Sequence, residues 1–118
     1  MASKDRIGTI AREDGNVVCE KCLIARSMFS RMKGLLGRRD LPADEGVLLK
    51  PAGSIHTAFM RFPIDVVFLD RDLRVLRVAD SVPPWRTKMA RKSRAVLELR
   101  AGEATRRGVG VGDVLEVT

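Results

Sequence analysis

The polar and apolar positions change period several times along the chain, and those changes mark its elements. Two apolar-rich runs, Ile7 to Arg12 and Asn16 to Ala25, meet at Glu13-Asp14-Gly15-Asn16. Asp-Gly supplies the positive φ that a tight turn needs, so the runs are expected to pair as a hairpin. Between Arg26 and Arg39 the period shifts: Met28, Phe29, Met32, Leu35 and Leu36 recur close to every 3.6 positions. This spacing predicts a short helix with Ser27 as its N-cap. Gly34 weakens the helix and is expected to end it early.

A loop from Asp40 to Gly46, containing Pro42, leads to a third strand at Val47-Leu48-Leu49. Pro51-Ala52-Gly53-Ser54 then turns the chain into a strand around Ile55 to Thr57. The strongest strand signal is Ile64 to Leu69, apolar except for Asp65 and rich in β-branched and aromatic residues. Asp70-Arg71-Asp72 is a polar turn, and Leu73 to Ala79 alternates as the returning strand. At Val82-Pro83-Pro84-Trp85 the chain is expected to leave the sheet, because consecutive prolines donate nothing to a ladder. Arg86 to Arg94 follows as a basic connection, Ala95 to Leu99 as a strand and Ala101 to Arg107 as a short helix that Gly108 ends; Val114 to Val117 is the last strand. Short, closely spaced strands with two short helices predict a mainly β fold, a single compact sandwich or barrel-like domain.

Composition narrows the class. A chain of 118 residues, 45% hydrophobic and 31% charged, is of the size and balance of one globular domain spanning 1–118. Such a chain buries roughly two thirds of its unfolded surface and needs no staple. No apolar run nears the ~20 residues of a membrane span, and the polar start lacks the apolar segment of a secretory signal, so a soluble, cytoplasmic protein is expected. The formal charge of +7 favours anionic partners through long-range attraction.

Several segments carry a resemblance. Arg31, Gly34-Leu35-Leu36-Gly37-Arg38 and Leu41 are similar to the opening motif of the family called domain of unknown function 192. Met60 with Pro63-Ile64-Asp65-Val66-Val67-Phe68-Leu69-Asp70 resembles its central strand; Val96-Leu97-Glu98-Leu99, Ala101-Gly102, Gly108 and Gly112-Asp113 resemble its closing segment. The similarity covers about residues 27–117, with the hairpin of about 7–25 preceding this family-like core. It implies a compact, mostly β, jelly-roll-like domain and brings no function. Many members carry an aromatic-rich segment where this chain has Ile55-His56-Thr57-Ala58-Phe59-Met60, and many carry a signal peptide.

Four groups of residues have chemical potential. Cys19 and Cys22 have the Cys-x-x-Cys spacing that lets two thiolates reach one zinc ion, with His56 and a carboxylate as further ligands. Against zinc, and against a disulfide, stands the period of two, which sends the pair to opposite faces of a strand unless a bulge or turn intervenes. No other cofactor is implied. His56, the only histidine, and Asp65 would meet if their strands were neighbours, and such a pair serves general acid–base chemistry. No further residue completes a catalytic set, so the competing reading is a loop anchor.

Asp65 sits in an apolar strand, where a carboxylate requires a partner: Arg61, Arg38 or backbone amides. It either ties a loop to the sheet or floors a ligand cleft made with His56, Met60 and Trp85 and reached by Arg38. Finally, Arg86, Lys88, Arg91, Lys92 and Arg94 place five cations in nine residues beside Trp85, either a solvated loop or a contact for phosphates. Phe59, Phe62 and Phe68 are expected in the core, which argues against an aromatic platform for single-stranded nucleic acid. The leading expectation is a non-enzymatic domain binding a small polar or anionic ligand. A small enzyme using His56 and Asp65, and a nucleic-acid-associated protein using residues 86–94, are the alternatives.

Overall fold

The computed structural model describes residues 6–35 and 37–118; Leu36 and the start of the chain, both used above, lie outside the described residues. In chain order the elements are β1 (Arg6–Arg12), β2 (Val17–Ala25), α1 (Met28–Leu35), β3 (Glu45–Leu49), β4 (Ser54–His56), β5 (Ile64–Leu69), β6 (Val75–Val82), β7 (Thr87–Met89), β8 (Ala95–Arg100), α2 (Glu103–Arg106) and β9 (Leu115–Val117). The mainly β class and both short helices are as expected. One seven-stranded sheet runs in the order β6-β5-β8-β3-β2-β1-β9, and β4 pairs with β7 in a separate ribbon. All pairings in the large sheet are antiparallel except β2 with β3.

The sheet curls until its two edges approach. Arg74 bridges Val114, the Val75 amide donates to the Asp113 carbonyl at 2.8 Å, and the Leu115 amide donates to the Leu73 carbonyl at 2.9 Å. The result is a half-barrel. Its concave side holds one apolar core, including Val67, Leu69, Val75, Leu97, Leu99 and Leu115. The opposite face, with Ile64, Val66, Phe68 and Val96, packs against Leu35, Ile55 and Met60 from α1, β4 and the loop after β4. Strands β5 and β8 are buried on both sides, which is why they read as near-continuous apolar runs.

Several boundaries differ from the sequence reading for physical reasons. The Ser27 hydroxyl caps α1 by accepting from the Ser30 amide at 3.1 Å, but the helix stops at Leu35. A side chain at Gly34 would run into Leu23 at 2.8 Å, so the glycine lets α1 lie close on β2. The helix turns Arg31 and Leu35 inward and leaves Phe29 74% exposed; Phe29 is therefore not part of its core face. The basic connection contains β7, because its backbone closes the ribbon with β4: Ile55 lies opposite Lys88 and His56 opposite Thr87. β6 runs on past Ala79 to Val82 by means of a bulge at Asp80-Ser81, visible as the step from Ile64–Val82 to Val66–Ala79 pairing.

Candidate functional site

The central strands β5 and β8 each carry one fully buried carboxylate, on opposite faces. Asp65 lies opposite Leu99 and shares its face with Val67 and Leu69, so it points into the barrel. Its Oδ1 accepts from the Ser81 amide at 2.8 Å, and Oδ2 accepts from the Gly102 and Ala104 amides at 2.9 Å each. Of the partners weighed from the sequence, backbone amides hold it. Asp65 ties the start of α2 and the β6 bulge to the sheet, and α2 closes that end of the barrel.

Glu98 lies opposite Val66 and shares the outer face with Val96. Its partner is Arg31, which α1 brings over the sheet: the Arg31 Nε donates to Oε2 at 2.8 Å and Nη2 to Oε1. Both side chains are buried, at 0% and 2% exposure. Two thioethers complete the guanidinium's surroundings, Met60 Sδ at 3.6 Å from Nη2 and Met28 Sδ at 3.9 Å from Nη1. Burial holds the Glu98 carboxyl above the usual carboxylate range, with Arg31 and then His56 opposing the shift. The carboxylate near His56 is thus Glu98. The expected His56–Asp65 pair does not form, because Asp65 faces the other side of the sheet.

His56 is close enough to act electrostatically on Glu98, and its Nδ1 is buried without a hydrogen-bond partner among the described residues. The next residue, Thr57, organises the surface. Its hydroxyl donates to the Pro83 carbonyl at 2.7 Å and accepts from the Arg86 amide at 2.9 Å, while its carbonyl accepts from the Trp85 and Met60 amides at 3.0 and 3.3 Å. These bonds clasp the loop after β4 to the loop before β7. Each loop then presents one aromatic ring. Phe59 and Trp85 are 65% and 61% exposed and meet edge to face with centroids 4.6 Å apart. Phe59 is therefore not in the core: its backbone turns it outward at φ 65°, and Trp85 also sits at φ 65°. Left-handed backbone at a bulky residue is costly and persists only where surrounding bonds enforce it.

The structure brings together His56, Met60 and Trp85 from the expected cleft, and adds Arg31, Thr57, Phe59 and Glu98. Asp65 and Arg38 lie elsewhere. Arg38 donates to Glu45 at 3.1 Å and lines a separate hollow of about 270 Å³ with Leu41 and Val47. Of the basic residues, Arg86, Arg91, Lys92 and Arg94 are exposed and Lys88 is half-buried; none forms an ion pair among the described residues.

Cys19 and Cys22 occupy the inner core. The pairing of β1 with β2 steps from Gly8–Cys22 to Ile10–Cys19, a bulge that places one extra residue in β2. The bulge brings both thiols to one face, where the alternation alone would have divided them. The interaction between them pushes the Cys22 thiol up, with burial adding to the shift, and lowers the Cys19 thiol against the opposing effect of burial. Both are free thiols. His56 belongs to the other face, so the zinc set proposed from sequence does not converge, and no three metal-ligating side chains cluster among the described residues.

The model of the family DUF192, "Uncharacterized ACR", matches residues 9–117. The chain belongs to the DUF192 family. The match takes in the second half of β1 and all of β2 as well as the segments that carried the resemblance. Among the crystal structures similar to this DUF192 chain is a protein of unknown function from Novosphingobium aromaticivorans, 28% identical with a TM-score of 0.78, covering 95% of this chain and 84% of that one. Another is a Sinorhizobium meliloti protein described as "a putative transcription regulator", 23% identical with a TM-score of 0.81, covering 99% and 96%. No curated protein matches the chain.

Proposed function

We propose that this DUF192 domain is a non-enzymatic binding module that captures a small anionic ligand bearing a planar ring on the Phe59–Trp85 platform. One observation carries the reading: two large aromatic rings are held out into solvent, each on a left-handed backbone that the buried Thr57 clasp enforces. Strain kept at an exposed position marks a site better than exposure alone does. Exposed Arg61 and Arg86 flank the rings in sequence and supply charge for an anionic group. Glu98 is poorly arranged for acid–base work, since Arg31 engages both of its oxygens and burial closes it to substrate. Free buried thiols fit the reducing cytoplasmic setting that belongs to this proposal.

Trp85 is the only tryptophan and the chain has no tyrosine, so its emission reports on this site. Titration with a purine nucleoside monophosphate should quench it saturably, and Arg86→Ala should weaken binding about tenfold, the equivalent of ~1.4 kcal/mol. An unchanged spectrum at millimolar ligand would sink the reading. The five cations, which form no ion pair among the described residues, favour a second one, single-stranded nucleic acid lying along residues 86–94. That reading requires oligonucleotide affinity to fall steeply with salt, with a log–log slope near the number of phosphates contacted.

A further inference from the structure

The two ends of the half-barrel are closed differently. At the end where β3 and β5 begin, α2 covers the inner core, and Ala104 and Val109 pack into it. At the other end, where β2, β3 and β5 finish, no element lies across the core among the described residues. Ile24, Leu73 and Val117 pack against it but stay only partly buried. Together with Leu48 they floor a cleft of about 570 Å³. This is within the size range of small-molecule sites, roughly 300–1,000 Å³.

The described part of the rim is positively charged. Among the described residues that line the cleft, Arg6 and Lys50 stand beside the apolar floor and none is acidic. Cations on an apolar floor complement an anionic head with an aliphatic tail, and a guanidinium matches a carboxylate in particular. The floor is also shaped at a backbone cost. Leu73 has φ 63°, held there by the hydrogen bond its amide donates to the Asp70 carbonyl at 3.0 Å and by the one its own carbonyl accepts from the Leu115 amide. The Asp70 carboxylate fixes the same turn through the Asp72 and Arg74 amides. A leucine kept in that conformation at the lip of an open core is another strained residue at a concave surface.

We propose that this open end of the barrel binds an amphipathic monocarboxylate, a medium-chain fatty acid, with its tail on Leu48, Leu73 and Val117 and its head at Arg6 and Lys50. The site is independent of the Phe59–Trp85 platform, which lies on the outer face of the sheet.

Decanoate is the probe, titrated into the full chain while the Ile, Leu and Val methyl resonances are followed. Saturable shifts at Ile24, Leu48, Leu73 and Val117 are expected, with Trp85 emission unchanged. Lys50→Glu, an exposed substitution that leaves the core intact, should weaken binding about tenfold or more. Acetate, with a head and no tail, and decanol, with a tail and no charge, should each bind at least about tenfold more weakly; one such factor corresponds to ~1.4 kcal/mol. Equal binding of decanol, equal binding of acetate, shifts centred on another surface, or the absence of saturable shifts would each overturn the assignment. Binding to anionic phospholipid vesicles without binding of free decanoate would overturn it too, by making the mouth a membrane contact.

Discussion

Asp65 and Glu98 stand on neighbouring strands, both with no solvent exposure, and are stabilised in opposite ways. Asp65 is satisfied by three backbone amides, whose dipoles are fixed by the turns they belong to. Glu98 is satisfied by one side chain delivered from a separate helix. Backbone amides compensate a carboxylate without burying a second charge. An ion pair buries two, and its attraction must offset the desolvation of both. The inner carboxylate is thus a structural tie, whereas the outer one is a delicately balanced charge beneath the exposed aromatic platform.

Breaking the outer pair should give the largest effect. Arg31→Met leaves Glu98 buried and unpaired and should cost about 3–5 kcal/mol of stability, measured by urea unfolding near neutral pH. Arg31→Met with Glu98→Leu should recover most of that loss, because apolar replacement of a buried pair is often close to neutral. If the double variant is as unstable as the single one, the pair matters for more than charge compensation. Next in size is the inner tie. Asp65→Ala orphans three amides, each worth about 1–3 kcal/mol when buried, although those near the surface recover water. A net loss of about 2–3 kcal/mol is expected, with faster amide hydrogen exchange at Ser81, Gly102 and Ala104. Exchange that accelerates uniformly across the sheet would show that Asp65 anchors no particular loop.

The sequence disclosed one of these carboxylates and hid the other. Asp65 stood out as the lone charge in Ile64 to Leu69, and the demand for a partner followed at once. The same argument applies to Glu98, the lone charge in Ala95 to Leu99, and would have marked it as a group needing compensation. Arg31 was visible too, three residues after Met28 and four before Leu35, on the stripe that α1 turns inward. Their pairing was not legible, since it depends on where α1 crosses the sheet. Strand existence and the hairpins were readable from period and turn residues. The bulges were not: one at Cys19–Cys22 and one at Asp80–Ser81 each reverse which side chains share a face, with no composition to announce them. Phe59 misled for a related reason, because a φ of 65° enforced by Thr57 overrides its hydrophobic preference for the core.

The outer region can be probed more gently at its clasp. Thr57→Val keeps the shape and removes the hydroxyl that joins Pro83 to Arg86. A loss of about 1–2 kcal/mol is expected from the orphaned groups, together with a shift in Trp85 emission as the rings lose their fixed geometry. Stability lost without any spectral change would show that the aromatic pair is held by its own contact, and the clasp would then have no bearing on the platform.

The smallest effect is in pH dependence, and its sign sharpens the comparison most. Burial raises the Glu98 carboxyl above its unfolded value of about 4.3, so the folded state binds this proton more tightly than the unfolded state does. Stability from Glu98 is then fully present below that unfolded value and falls as pH climbs through the raised one. Glu103, lowered by the Arg106 and Arg107 guanidiniums, works the other way: its contribution is present above the unfolded value and is lost as pH falls. Glu98→Gln removes only the first behaviour. The stability of this variant relative to the native chain should therefore rise as pH increases from 4 toward 7, followed by thermal unfolding at fixed ionic strength. A relative stability that falls over that range would mean that Arg31 outweighs burial at Glu98, and the outer carboxylate would then be held as firmly ionised as a carboxylate bound by backbone amides.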